Sequence, residues 1–269
     1  SDWSSDVCSS DLEAARWRRR GRVLLDEGVA RQFYPDGGYI QNSHNYHRVA
    51  LQDLLWACSA LSAAGRGVPS RWRRALARSV DFLVAHQNAS DGRLPNYGAN
   101  DGALPSVLSC CHYADFRPTL QAASLAARGE RLYEPGPWDE EAAWFVGPQA
   151  LEQAPLHPAD RRTISFAHSG YHVLRGRGGN SFGAFRCCSV LDRFSQIDML
   201  HLDIWWRGVI VLADGGSYLY NGPPAWHAHF MRTGSHNTVT VDGRDQMLHA
   251  RRFKQLYWTR ARLGQLERG

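Results

Sequence analysis

The sequence predicts an α+β, multidomain chain with helices first and an antiparallel sheet second. Three observations carry this. Apolar side chains recur at helical spacing in successive blocks up to Trp144. From Ile164 onward, short β-branched and aromatic runs replace them. Between the two, Pro148 to Asp160 holds three prolines and loses periodicity. The expected organisation is a helical part over 13–150, a linker over 151–162 and a sheet part over 163–269.

The elements follow in order. Ser1 to Leu12 is Ser/Asp-rich and aperiodic, and reads as a non-native leader, such as a translated adapter. The chain is therefore expected to be a fragment whose natural start lies upstream. Glu13 to Ala30 is an amphipathic helix, with Trp17, Leu24 and Leu25 on one side. Asp36-Gly37-Gly38 is a turn, and Asn42 or Ser43 can cap the next helix, which carries Val49, Leu51, Leu54, Leu55, Cys58 and Leu61. A third helix over Ser70 to Gln87 has the stripe Trp72, Leu76, Val80, Leu83 and Val84. A long Gly/Pro/Asn/Asp loop follows, of a kind usually functional or disordered. Helix returns over Arg117 to Arg128 and again, briefly, over Trp138 to Trp144. Paired helices separated by glycine-rich loops suit an α/α toroid, incomplete here.

Strands are expected at Ile164 to Phe166, Tyr171 to Arg175 and Phe182 to Cys187. Ile197 to Leu212 reads as two more, joined through Arg207-Gly208. Asp214-Gly215-Gly216 forces a turn. A strand over Asn237 to Val241 then ends at the hairpin signal Asp242-Gly243. Between them, Trp226 to His229 is read as a loop. Gln255 to Leu263 looks strand-like.

Composition narrows the function. The net charge of +5 admits a groove for a polyanion, or arginines on solvated surfaces. No nucleic-acid signature accompanies it, so no nucleic-acid partner is expected. No run is long enough to span a membrane. Six cysteines include two adjacent pairs and no CxxC, leaving the compartment undecided. There is no Walker loop, no GxGxxG after a strand, no GxSxG elbow between a strand and a helix and no HExxH, which argues against nucleotide, dinucleotide, serine-hydrolase and zincin chemistry.

Two segments resemble the heparinase II/III-like polysaccharide lyases. One is the run from Phe33 to His47, FYPDGGYIQNSHNYH, with Gln41 where the family has Glu. The other joins Asp198-Met199-Leu200, Asp214-Gly215-Gly216 and the long run RTGSHNTVTVDG from Arg232 to Gly243. Two family histidines are missing: Phe194 and Gln196 stand in their places. The resemblance implies a toroid followed by an antiparallel β-sandwich. It implies β-elimination on a uronic-acid polysaccharide, by a periplasmic or secreted bacterial enzyme. The alternatives are a glycan-binding envelope protein on the same fold, or a toroid glycoside hydrolase. The latter would need two carboxylates at set separation. Asp36, Asp101 and Asp115 form no convincing pair.

Elimination needs a neutralised carboxylate, a base for the C5 proton and an acid for the leaving O4. Tyr46, at a helix start beside His44 and His47, matches the family's catalytic tyrosine; the plainer reading is an aromatic packed between helices. His44 and Arg232 are the other catalytic candidates. Asn42, His47, Asn96, Tyr97, Asn100, Asp101, Trp226 and His229 are candidate substrate-binding residues, since carboxamides and aromatics suit sugars, though Asn, Asp and Gly also favour turns unaided. By resemblance Asp214 and His236 match metal ligands, with Gln196 a doubtful third, so a structural zinc or other divalent cation could bind. His201 or Asp198 could substitute, but strand alternation puts His201 on the face opposite Gln196 and Asp198.

Overall fold

A computed structural model describes residues 12–189, 193, 196–251 and 254–264. The expected leader lies outside the described residues, except for Leu12. Helices come first: α1 (Leu12–Gln32), α2 (His44–Ala63), α3 (Ser70–Ala85), α4 (Arg117–Arg128), α5 (Asp139–Val146) and α6 (Pro148–Gln153). Their starts and stops follow local chemistry. Ser43 sits in extended backbone and its Oγ accepts the Tyr46 N–H at 3.1 Å, capping α2. Gly129, in the left-handed region at φ 70°, ends α4. The apolar stripes face inward, with Leu51, Leu55, Trp72, Leu76 and Leu83 buried. Trp72 also ties α3 to α1, donating its indole N–H to Asp26 at 2.7 Å.

The second half is an antiparallel meander of β1 (Ile164–Phe166), β2 (Tyr171–Arg175), β3 (Phe182–Arg186), β4 (Leu202–Trp206) and β5 (Val209–Leu212). Arg207 and Gly208 both have positive φ, 50° and 82°, which matches a two-residue hairpin to the twist of its strands. Helix α7 (Pro224–Met231), a 3-10 turn (Thr233–Ser235) and the pair β6 (Leu248–Arg251) and β7 (Lys254–Leu256) follow.

Five expectations are corrected. Trp226 to His229 lies on α7, not in a loop: Pro224 begins a helix with its φ already set. Asn237 to Val241 is not a strand. Side chains hold that segment instead of a ladder: Asn237 Nδ2 donates to the Ala213 carbonyl, Thr238 Oγ1 to that of Met199, and Gln246 Nε2 to those of Met199 and Val239. Ile197 to His201 is not strand either, because Leu200 turns the backbone at φ 65°. In the strand-like stretch Gln255 to Leu263, β7 stops at Leu256, where Tyr257 takes φ 57°. Within the proline-rich stretch, α6 occupies Pro148–Gln153.

The two halves are tightly joined. Asp36 in the Asp36-Gly37-Gly38 turn accepts the backbone N–H groups of His168 (2.7 Å) and Ser169 (2.9 Å) between β1 and β2. Arg175 donates to the carbonyls of Ala85 and Gln87 at the end of α3 (2.6 and 2.7 Å). One buried apolar cluster runs from Leu51, Trp72 and Leu120 through Phe166, Tyr171, Val173 and Trp205, so helices and sheet share a core. No helix among the described residues is long and apolar enough to cross a membrane.

Candidate active site

The start of α2, the long loop after α3 and the segment after β5 meet around Tyr46. The loop is pinned to the helix start: the His44 N–H donates to the Tyr97 carbonyl at 3.2 Å, and Ser43 Oγ to that of Ala99 at 2.5 Å. Gly98 lies so close that an added Cβ would sit 2.1 Å from the Asn42 carbonyl, at a φ of 79° that already favours glycine. From the sheet side, Ser217 Oγ accepts the Asn100 N–H at 2.6 Å.

Within this frame the half-buried Tyr46 hydroxyl donates to Asp101 Oδ2 at 3.0 Å. The Tyr220 ring lies nearly parallel to that of Tyr46, centroids 6.5 Å apart. Asn100 Oδ1 accepts the Tyr113 hydroxyl at 2.7 Å, and its Nδ2 donates to Asn96 Oδ1 at 2.9 Å. The same Tyr113 hydroxyl lies 2.8 Å from Asn45 Oδ1, which receives the buried Arg48 guanidinium. Burial, then hydrogen bonding with Tyr220, then the Asp101 carboxylate push the Tyr46 pKa well above the ordinary tyrosine value. Tyr46 is therefore a neutral hydroxyl at physiological pH, a proton donor and not a resident tyrosinate.

The structure thus brings Tyr46, Asn96, Asn100 and Asp101 together. Sequence reasoning missed Asn45, Tyr113 and Tyr220 as members of this group. Asn45 sits inside the FYPDGGYIQNSHNYH run; Tyr113 and Tyr220 carry no local signal, because only the fold brings them to Tyr46.

The histidines of α2 lie behind it. His44 donates or accepts through Nδ1 at the Pro95 carbonyl (2.9 Å) and packs among His86, Tyr97 and Tyr171. Burial pushes its pKa down to about 4. His47 stacks on Tyr39, and burial followed by the neighbouring His44 holds it down to about 3. Both are neutral interior rings, as is the location of Tyr97, which is 3% exposed. Asn42, also buried, clamps backbone: its Nδ2 donates to the carbonyls of Ile40 (3.1 Å) and Arg193 (2.7 Å).

Arg232 and His229 stand apart from Tyr46's hydrogen bonds. Arg232 pairs with Asp245 at 3.0 Å. Trp226 and His229 lie on α7 against Phe230, with Trp226 also facing Tyr218.

A second cluster is built under the sheet. His201, Asp214 and His236 offer ligand atoms all within 4.8 Å of one another, and all three are buried. Asp214 Oδ2 lies 3.4 Å from His201 Nε2 and 3.2 Å from His236 Nδ1. The Asn237 N–H donates to His201 Nδ1, so Nε2 is the nitrogen turned to the carboxylates of Asp203 and Asp214. Burial opposes the charged form of both histidines, but Asp203 beside His201 and Asp214 beside His236 raise their pKa values regardless. Two imidazoles and a carboxylate, buried and convergent, form a donor set that could hold a metal ion. This corrects the expectation for His201. The left-handed turn at Leu200 breaks strand alternation and swings His201 toward Asp214. Gln196, the doubtful third ligand, spends its Nε2 on the Gly216 carbonyl at 2.7 Å. Phe194 lies outside the described residues.

Comparison with known proteins places this arrangement. The model of the heparinase II/III N-terminus matches residues 11–108, and that of the heparinase II/III-like C-terminal region matches 158–268. A heparin-sulfate lyase of Bacteroides stercoris is 24% identical over 249 residues, covering 87% of this chain and 33% of its own length. Among solved structures, a mutant heparan sulfate lyase from Pedobacter heparinus superposes with a TM-score of 0.67 at 17% identity, covering 96% of this chain and 37% of that one. A heparinase III with methylated lysines gives 0.66 at 20% identity, over 87% and 34%. The chain spans about a third of the length of these relatives. The shared fold is an α/α-toroid portion followed by antiparallel β-sandwich strands. Matched in both halves, the chain belongs to the heparinase II/III-like family.

Proposed function

We propose that this chain carries the tyrosine-bearing part of a polysaccharide lyase that cleaves a uronic-acid polymer by β-elimination. The observation that carries it is the Tyr46 hydroxyl, held neutral at 3.0 Å from Asp101 and beside Tyr220 where the two halves meet. In this reaction the C5–H bond gives its proton to a base, its electron pair forms the C4–C5 double bond, and the C4–O4 bond breaks. The departing O4 is strongly basic. A hydroxyl whose own pKa is raised toward it is suited to donate, and Tyr46 takes that role. Asn96 and Asn100 on the same rim supply carboxamides for the sugar. The relatives named as heparin- and heparan-sulfate lyases support an acidic glycosaminoglycan as substrate. A periplasmic or secreted bacterial setting is part of the same reading.

His201, Asp214 and His236 would hold a divalent cation, and their two nitrogens and one oxygen suit zinc. Bound there, the ion would fix the loop that leads to Ser217 and Tyr220. The hydrolase alternative finds little support. Asp36 is committed to the β1–β2 turn, and Asp115 to Arg117 at 2.7 Å.

The test is near-ultraviolet absorbance on alginate, heparan-, chondroitin- and hyaluronan-type polymers, with and without Tyr46→Phe. Elimination leaves a conjugated uronate that absorbs there. We expect a rise on at least one polymer and a fall in rate of about 10²-fold or more in the variant. New reducing ends without absorbance would indicate hydrolysis, and binding without either signal a glycan-binding protein.

A further inference from the structure

We propose that Arg193 holds the substrate's uronate carboxylate beside Tyr46, a role that rests on the lyase reading above. Arg232, the arginine among the catalytic candidates, is occupied by Asp245. Arg117, Arg131 and Arg186 likewise each hold a carboxylate. Arg193 is exposed, and among the described residues it pairs with none.

Its main chain is nevertheless fixed at the site. Asn42 Nδ2 donates to the Arg193 carbonyl at 2.7 Å. Asn42 is itself 5% exposed, tied to Ile40 by the same amide and held in the left-handed region at φ 49°. It directly precedes Ser43, the cap of the helix that carries Tyr46. The turn that launches Tyr46 therefore also anchors Arg193, across 151 residues of sequence.

The charge of Arg193 is felt on this side of the molecule. Its charge works against burial at the hydroxyls of Tyr220 and Tyr39, holding each lower than burial alone would. Tyr220 lies against Tyr46. The Arg193 main chain is thus anchored next to the cap of the Tyr46 helix, and its charge acts on the tyrosine that stacks on Tyr46.

The substrate's geometry asks for such an edge. The carboxylate hangs from C5 and the leaving oxygen from C4, adjacent ring atoms, so a cation and a proton donor must stand side by side. A guanidinium takes a carboxylate through two parallel N–H donors and stabilises the charge that moves onto it as the C5 proton leaves.

The experiment is equilibrium binding in the Tyr46→Phe background, which removes turnover. The polymers are the best-bound member of the uronic-acid panel and the same polymer with its carboxyls reduced to alcohols. Arg193→Ala should weaken binding of the native polymer about tenfold and leave the reduced polymer unchanged. Arg193→Lys should recover part of the loss, and Asn42→Ala should show a smaller loss in the same direction. An equal loss on both polymers would mean that Arg193 reads sulfate or bulk charge, and overturns the proposal. So does unchanged binding. If the chain with Arg193 intact binds no uronic polymer at all, the lyase reading fails and this assignment falls with it.

Discussion

His201 shows how much one backbone angle can decide. Leu200 at φ 65° turns the chain just before β4, and the imidazole that regular pleating would send to the other face joins Asp214 and His236 instead. The expected consequence is measurable by metal analysis of purified protein. His201→Ala should lose bound divalent cation, while Gln196→Ala, whose amide serves a backbone carbonyl, should retain it. Equal retention in both would remove His201 from the donor set. At this scale the sequence was partly legible. Tyr46 and His236 stand out because they sit in long runs of matched residues, and Asp214 because it opens the Asp214-Gly215-Gly216 turn. Tyr220 and Tyr113 do not, because Tyr220 meets Tyr46 across 174 residues of chain and Tyr113 meets Asn45 across 68, and such contacts leave no local pattern.

Turns, more than helices, set the precision of the elements. Helices α1 to α5 could be read from periodicity to within about two residues, since apolar spacing is a direct record of which face is buried, whereas the short α6 and α7 could not. The segment after β5 could not. Asn237, Thr238 and Gln246 side chains bond the carbonyls of Ala213, Met199 and Val239 in place of a ladder, and nothing in a run of β-branched residues announces that choice. The Asp36-Gly37-Gly38 turn was legible as a turn but not as an interlock. There Gly37 adopts φ 94° with an added Cβ only 2.1 Å from the Arg78 carbonyl. Gly37→Ala should therefore cost about 1–3 kcal/mol or more, from the backbone angle alone and the collision on top of it. Urea unfolding would measure it; a loss below about 0.5 kcal/mol would mean that the turn gives way freely.

As a whole, the molecule buries three neutral histidines, His44, His47 and His86, in the shared core. Their pKa values are depressed by burial, to about 4 for His44 and about 3 for His47, with His86 well below its ordinary value. In the unfolded chain they return toward 6.5 and take up protons that the folded core refuses. Stability from these groups is thus complete above about pH 6.5 and is lost as pH falls toward 4 and below. The midpoint of urea unfolding should drop steeply across that window. A flat profile from pH 7 to 4 would show that the rings are solvated in the folded state. Fold class and element order were legible at this scale. The continuity of the core was not, because a proline-rich stretch reads as a divider whether or not buried side chains meet across it.

That continuity implies that the covalent link between the halves is dispensable once they have met. The stretch Pro158 to Asp160, exposed except for the half-buried Ala159, follows α6 and precedes β1. Broken there, the chain would yield two pieces whose apolar faces complete each other through Phe82 against Phe166 and Tyr171. Coexpressed as separate polypeptides, they should co-purify as a 1:1 complex, and Asp36→Ala in the first piece should weaken the partnership by removing the clasp on His168 and Ser169. Pieces that never associate would show that tethering, not complementarity, holds the halves together. If they do associate, the Tyr46 cleft becomes something assembled from two partners, in which each piece is the other's missing wall.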